Sequence, residues 1–166
     1  MTEKAASQAV IVQRLDIKNL DLMGALLTMF GEAFDESATY NEARPDGDYF
    51  EKLFENENFV ALVAMKEAQV VDGLIAYELQ KFEQARSEIY IYDLAVATEH
   101  RREGIATTLI DDLRKIAAAR GAYVIFVQAD RGDDPAIALY SKLGTREDVL
   151  HFDIPIEIAP SERSSR

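Results

Sequence analysis

A chain of 166 residues is long enough to bury the core of one domain, and a hydrophobic content of 48% excludes a disordered chain. The net charge of −12 argues against nucleic acid or an anionic membrane as partner and favours a cation. With no cysteine, disulfides, thiolate nucleophiles and cysteine metal sites are all ruled out.

In chain order, residues 1–8 are small and polar and read as a flexible arm, and Val10–Leu15 reads as a first strand. Leu20, Met23, Leu27, Phe30 and Phe34 then recur every three or four residues, the spacing of an amphipathic helix. Residues 35–46 break the pattern as a polar, acid-rich loop. A short helix should follow and bury Tyr49, Phe50, Leu53 and Phe54. Phe59–Met65 and Val70–Leu79 read as strands of a hairpin, and Glu88–Val96 as a third long strand. The helix predicted over 103–120 carries Ile105, Leu109, Leu113 and Ile116 on one stripe, with Gly121 suited to its end. Ala122–Val127 lacks alternation, as a strand covered on both faces would. Asp130–Pro135 is a loop, Ala136–Leu143 a short helix ending at Gly144, and Val149–Ile154 a last strand that stops at Pro155. One domain over 9–155 and a flexible tail over 156–166 complete the expected organisation. The helical crossover between 88–96 and 122–127 should make those strands parallel neighbours.

There is no run of about eighteen apolar residues and no basic segment followed by an apolar one, so a soluble cytoplasmic protein is expected. His100 and His151 are too far apart for a helical metal pair, and no metal site is expected.

The start of the 103–120 helix carries the chemistry. Arg101, Arg102 and Gly104 lie at a helix N-terminus, where free N–H groups and the helix dipole attract anions. Gly104 has no Cβ to keep a phosphate off the backbone, and the arginines supply planar donors. The alternative is an ordinary helix start with arginines in solvent. The spacing Arg101-x-x-Gly104-x-Ala106 matches neither the P-loop nor Gly-x-Gly-x-x-Gly.

It does resemble the pyrophosphate signature of the GNAT superfamily, the acyl-CoA-dependent N-acetyltransferases. A second block, Ala138-Leu-Tyr140-Ser-Lys142-Leu-Gly144, resembles the family's Leu-Tyr helix. Longer strings narrow the likeness: Arg86–Val96, Glu99–Arg102, Gly121–Ile125, Val127–Asp130, Gly132–Pro135 and His151–Ile154 closely resemble bacterial aminoglycoside 3-N-acetyltransferases of the first subfamily. The likeness covers roughly residues 10–154. It implies an α/β GNAT fold, with a mixed, mostly antiparallel sheet, a central parallel strand pair and flanking helices.

The resemblance also assigns roles. Acetyl-CoA would be the co-substrate. Leu94, Ala95 and Val96 would offer backbone groups to the pantetheine arm, and one N–H there would polarise the thioester carbonyl. Arg101, Arg102, Gly104, Ile105, Ala106 and Thr107 would hold the pyrophosphate. Asp93 is the candidate base, or only a ligand for the substrate ammonium. Tyr140 is the candidate acid for the departing thiolate, or only a half-buried aromatic. Asp93, Asp130, Asp133, Asp134 and Asp153 are the candidate contacts for a cationic aminoglycoside. Glu36, Glu42 and Asp46 are solvated loop acids or a rim that closes the pocket, and His151 is a strand histidine or a pocket residue. A homodimer is left open. The rival readings are acetylation of a protein lysine, N-terminus or polyamine, and an acyl-CoA-binding regulatory module without turnover.

Overall fold

The computed structural model describes residues 9–157, and the arm expected over 1–8 and the tail beyond 157 lie outside the described residues. The chain divides into two compact units, the first ending at Gln128 and the second beginning at Ala129.

The first unit is built on a five-stranded sheet in the order β1 (Ile11–Arg14), β2 (Phe59–Lys66), β3 (Gln69–Gln80), β4 (Ser87–Val96) and β5 (Ala122–Val127). The first four strands run antiparallel to their neighbours, and β5 runs parallel to β4. The expected parallel pair is therefore present, at the end of the order rather than its centre. A two-residue turn at Glu67 and Ala68, both with positive φ, closes the β2–β3 hairpin with the twist such turns require. Helices α1 (Leu20–Ala33), α2 (Gly47–Glu55) and α3 (Ile105–Arg120) complete the unit.

Helix α1 follows a short 3-10 turn, where Asp16 N donates to Asn19 Oδ1 at 3.0 Å and Asp16 Oδ1 accepts from Lys18 N at 2.7 Å. Its buried stripe is Met23, Leu26, Met29 and Phe30, whereas Leu20 and Phe34 sit at the exposed ends. This stripe packs on Leu15, Phe59, Ala61, Val63, Ile75 and Ala95 to make one core. A Cβ on Gly73 would run into Leu26, so glycine there lets α1 settle against β3. Helix α2 leaves Tyr49 exposed, contrary to the expected burial, and Phe50, Leu53 and Phe54 half-buried. On α3, Ile105, Leu109, Ile110, Leu113 and Ala117 are buried, and Gly121 takes the left-handed cap conformation at φ 75°.

Two buried acids contrast. Glu78 accepts from Ser87 Oγ at 2.6 Å and from Arg120 at 2.7 Å. Burial alone would raise its pKa, but those hydrogen bonds and the Arg120 charge hold it below the ordinary value. Asp72 on β3 is fully buried, and among the described residues neither carboxyl oxygen has a partner in good hydrogen-bond geometry. Burial pushes its pKa up to about 8, offset in part by the adjacent Gly73 amide.

Two expectations need correction. β5 is not covered on both faces: Tyr123, Val124 and Phe126 stay 36–49% exposed. It is paired only on its β4 side among the described residues. The strand expected over 149–154 does not form either, and Val149, Leu150, Phe152 and Ile154 are all exposed. A strand has no hydrogen bonds of its own and exists only beside a partner. The described part of the second unit offers none, its one regular element being α4 (Asp134–Leu143).

Candidate active site

The site in the first unit begins with a defect in β4. Ile91 pairs with Ala76 and Asp93 with Ile75, so Tyr92 is an extra residue without its own place in the β3 register. A regular pleat would put Tyr92 and Asp93 on opposite faces. Instead the Tyr92 ring meets Tyr77 and Tyr90 edge-on, each 5.8 Å between centroids, and Tyr77 lies two positions along β3 from Ile75, the partner of Asp93. The bulge thus gathers Tyr77, Tyr90, Tyr92 and Asp93 on one face. Leu94, paired with Leu74, stays on the other.

The bulge also ends the β4–β5 ladder. Its last pair is Ile91 with Val127, and beyond it Leu94, Ala95 and Val96 pair only with β3. On the β5 side their backbone meets no strand among the described residues, which leaves an edge that an extended chain could join. Just below the opening, Tyr90 stacks on Phe126 at 4.9 Å, and its hydroxyl donates to Gln128 Oε1 at 3.1 Å.

From Val96 the chain passes through a 3-10 turn over Thr98–His100 to the start of α3. Arg102 at φ 66° and Gly104 at φ 80° both adopt the left-handed region, which bends the backbone into the helix. Gly104 is the N-cap, no side chain caps the helix, and a Cβ on Gly104 would meet nothing within 4 Å. The first-turn N–H groups of Ile105, Ala106 and Thr107 have no acceptor within the helix, and the space beside Gly104 is open, as anion binding requires. Arg102 is exposed. Arg101 is turned back, donating at 3.4 Å to the carbonyls of Val96 and of Ala33 at the end of α1, where a cation is favoured. Glu103 is engaged by Lys66, with His100 at 3.5 Å.

Asp93 has a partner the sequence did not reveal. Tyr40 Oη donates to Asp93 Oδ2 at 3.1 Å. Tyr40 lies in the segment expected to be an irregular loop, which instead holds one π-helical turn over Ala38–Glu42. Asp35, at φ 55°, turns the chain out of α1 into it, a conformation aspartate tolerates. Burial is the largest influence on Asp93 and raises its pKa. The Tyr40 hydrogen bond opposes that rise and the Glu36 charge adds to it. The only hint in the sequence was one aromatic inside an otherwise polar run.

The remaining candidates lie in the second unit. Tyr140 is half-buried on α4. Asp133 caps that helix, accepting from Ala136 N at 3.2 Å, and Asp134 sits in its first turn. Asp130 is exposed, and Asp153 is exposed beside His151 Nε2 at 3.0 Å. Among the described residues no three His, Asp or Glu side chains cluster as a metal site, and no helix is long and apolar enough to cross a membrane.

Comparison with known proteins identifies the family of this fold. Residues 27–145 match the Acetyltransferase (GNAT) family. The chain belongs to the GNAT acetyltransferase family. The GNAT chain is 58% identical to an aminoglycoside acetyltransferase from an uncultured soil metagenomic sample, over 90% of this chain and 99% of that one, with a TM-score of 0.88. A second aminoglycoside acetyltransferase of metagenomic origin, solved with sisomicin, is 31% identical over 89% and 97% of the two chains, with a TM-score of 0.83. A ribosomal-protein-alanine N-acetyltransferase from Brucella melitensis biovar Abortus 2308 is 25% identical over 90% and 100%, with a TM-score of 0.70. No curated protein sequence matches the chain.

Proposed function

We propose that this GNAT acetyltransferase moves acetyl from acetyl-CoA to an amino group of an aminoglycoside, at the 3-amino position that the narrower resemblance implies. Such acetylation would remove a positive charge from the antibiotic and so confer resistance on the cell, with the enzyme in the cytoplasm. Residues 9–155 would work as one catalytic domain, since the family match runs across the division at residue 128. The observation that carries the reading is Asp93, a carboxylate ringed by tyrosines at the point where β4 parts from β5. A carboxylate with aromatic walls suits an ammonium group, by charge and by cation–π attraction. The 58% identity to an aminoglycoside acetyltransferase supports the substrate class.

In this reading the open β4 edge at Leu94, Ala95 and Val96 takes the pantetheine arm, and the α3 start with Arg102, Gly104, Ile105, Ala106 and Thr107 takes the pyrophosphate. Arg101 supports that turn from behind through its two carbonyl contacts. A lysine-like amine with pKa about 10.4 is largely protonated at neutral pH, so attack on the thioester needs a base. Asp93 accepts that proton as the C–N bond forms. Tyr140 donates a proton to the sulfur as the C–S bond breaks. Asp130, Asp133, Asp134 and Asp153 supply negative charge toward the other ammonium groups.

The deciding experiment follows CoA release from acetyl-CoA with gentamicin-like and kanamycin-like aminoglycosides, a polyamine and a peptide bearing an N-terminal alanine. The product position is read by NMR. Turnover of aminoglycosides with acetyl at the 3-amino group is expected. Preference for the peptide would move the protein toward the ribosomal-protein class of acceptor, and CoA binding without turnover would make it a regulatory module. A second result concerns the α3 start. Gly104→Val forces a β-branched residue into a left-handed turn and puts its methyls where the pyrophosphate would lie. The acetyl-CoA KM should rise by about tenfold or more, as loss of a charge-assisted hydrogen bond would give. Unchanged acetyl-CoA kinetics in a folded Gly104→Val protein would remove the α3 start from cofactor binding.

A further inference from the structure

The turn over Ala38–Glu42 is held against α1 by several independent contacts. A Cβ on Gly31 would strike the Asn41 side chain, so the turn sits directly on the helix. Arg44 donates from Nε to the Tyr40 carbonyl at 3.3 Å and from Nη2 to Thr28 Oγ1 at 2.7 Å. The Tyr40 ring packs against both Phe30 and Phe34, with centroids 5.8 and 5.6 Å away. All of this fixes the hydroxyl that reaches Asp93 Oδ2.

We propose that Tyr40 is a positioning residue for Asp93: it occupies Oδ2, leaves Oδ1 to face the incoming amine, and by its hydrogen bond favours the charged form of the carboxyl. The inference rests on the reading of Asp93 as the group that meets the acceptor amine. Among the described residues, Tyr40 alone offsets the effect of burial on Asp93. Glu36 adds negative charge from the same segment, and Tyr77 on β3 with Tyr90 and Tyr92 on β4 line the face as neutral aromatics. The more readily this carboxyl holds a proton, the less it can bind an ammonium or accept its proton.

The test is Tyr40→Phe in the full chain, which deletes one oxygen and keeps the ring on Phe30 and Phe34. The Asp93 carboxyl carbon is followed by NMR in the substrate-free protein, and kcat/KM is followed against pH. The Asp93 titration midpoint should move up by about one pH unit or more, and the acid limb of kcat/KM should move with it. At neutral pH the rate should fall by roughly tenfold, with the melting temperature and acetyl-CoA KM little changed. A midpoint that stays put in Tyr40→Phe overturns the proposal, as does a rate loss accompanied only by a lower melting temperature. The parent reading fails separately: if Asp93→Asn retains the acid limb, that limb does not belong to Asp93, whatever Tyr40 does to its titration.

Discussion

Asp93→Asn should lower the acetylation rate at neutral pH by roughly a hundredfold or more, the usual scale for a positioned base. The substitution keeps the size of the side chain and an oxygen that can still accept from Tyr40, so the recess should keep its shape. What it removes is the charge and the proton acceptor. Raising the pH should restore part of the rate, because more free amine is then present without help. Tyr140→Phe should cost less and gain nothing from higher pH, since a thiol of pKa about 8.5 already leaves tolerably well and its departure does not depend on amine protonation. Aminoglycoside binding must be measured beside the rate, by calorimetry. If Asp93→Asn weakens binding but leaves kcat and its pH profile intact, Asp93 holds the ammonium and another group or water takes the proton.

The second large effect is on stability and comes from Asp72. Its carboxyl is fully buried, with no partner in good hydrogen-bond geometry among the described residues, and its pKa is raised from 3.8 in the unfolded chain to about 8. The folded protein therefore binds one more proton than the unfolded chain between those values. Stability tied to this group is complete below the lower value, falls as pH rises and is lost once pH passes the upper one. The window from 3.8 to about 8 corresponds to a loss of roughly 6 kcal/mol, a large share of a typical folding free energy. Leucine has nearly the shape of aspartate without its polar oxygens. Asp72→Leu should thus unfold at higher urea concentration than the parent at pH 8, by several kcal/mol, with the gap closing toward pH 4. Glu78 acts with the opposite sign. Its depressed pKa means that its pairing with Arg120 is lost as pH falls, in both proteins alike. Parallel stability curves for parent and Asp72→Leu across pH 4–8 would mean that Asp72 does not titrate in that range.

Much of the frame could be read from the chain because its causes are local. The apolar runs at 59–65 and 88–96, the stripe through Ile105, Leu109 and Leu113, and Gly121 at the end of α3 act through neighbours a few residues away. The same holds for Arg102 and Gly104 at the α3 start, where glycine and a helix N-terminus have meaning without the rest of the molecule. The family likeness rests on those same stretches.

What only the tertiary structure decided depends on partners far along the chain. The bulge at Tyr92 exists in the register between β3 and β4, and it alone brings Tyr92 to the face of Asp93 and parts β4 from β5. The hydrogen bond from Tyr40 spans fifty-three residues and needs α1, the 38–42 turn and the bulge together. Asp72 reads as an ordinary strand acid until its neighbours bury it. Val149–Ile154 has the alternation of a strand and is not one, because pairing needs a second strand and apolar pattern alone cannot supply it.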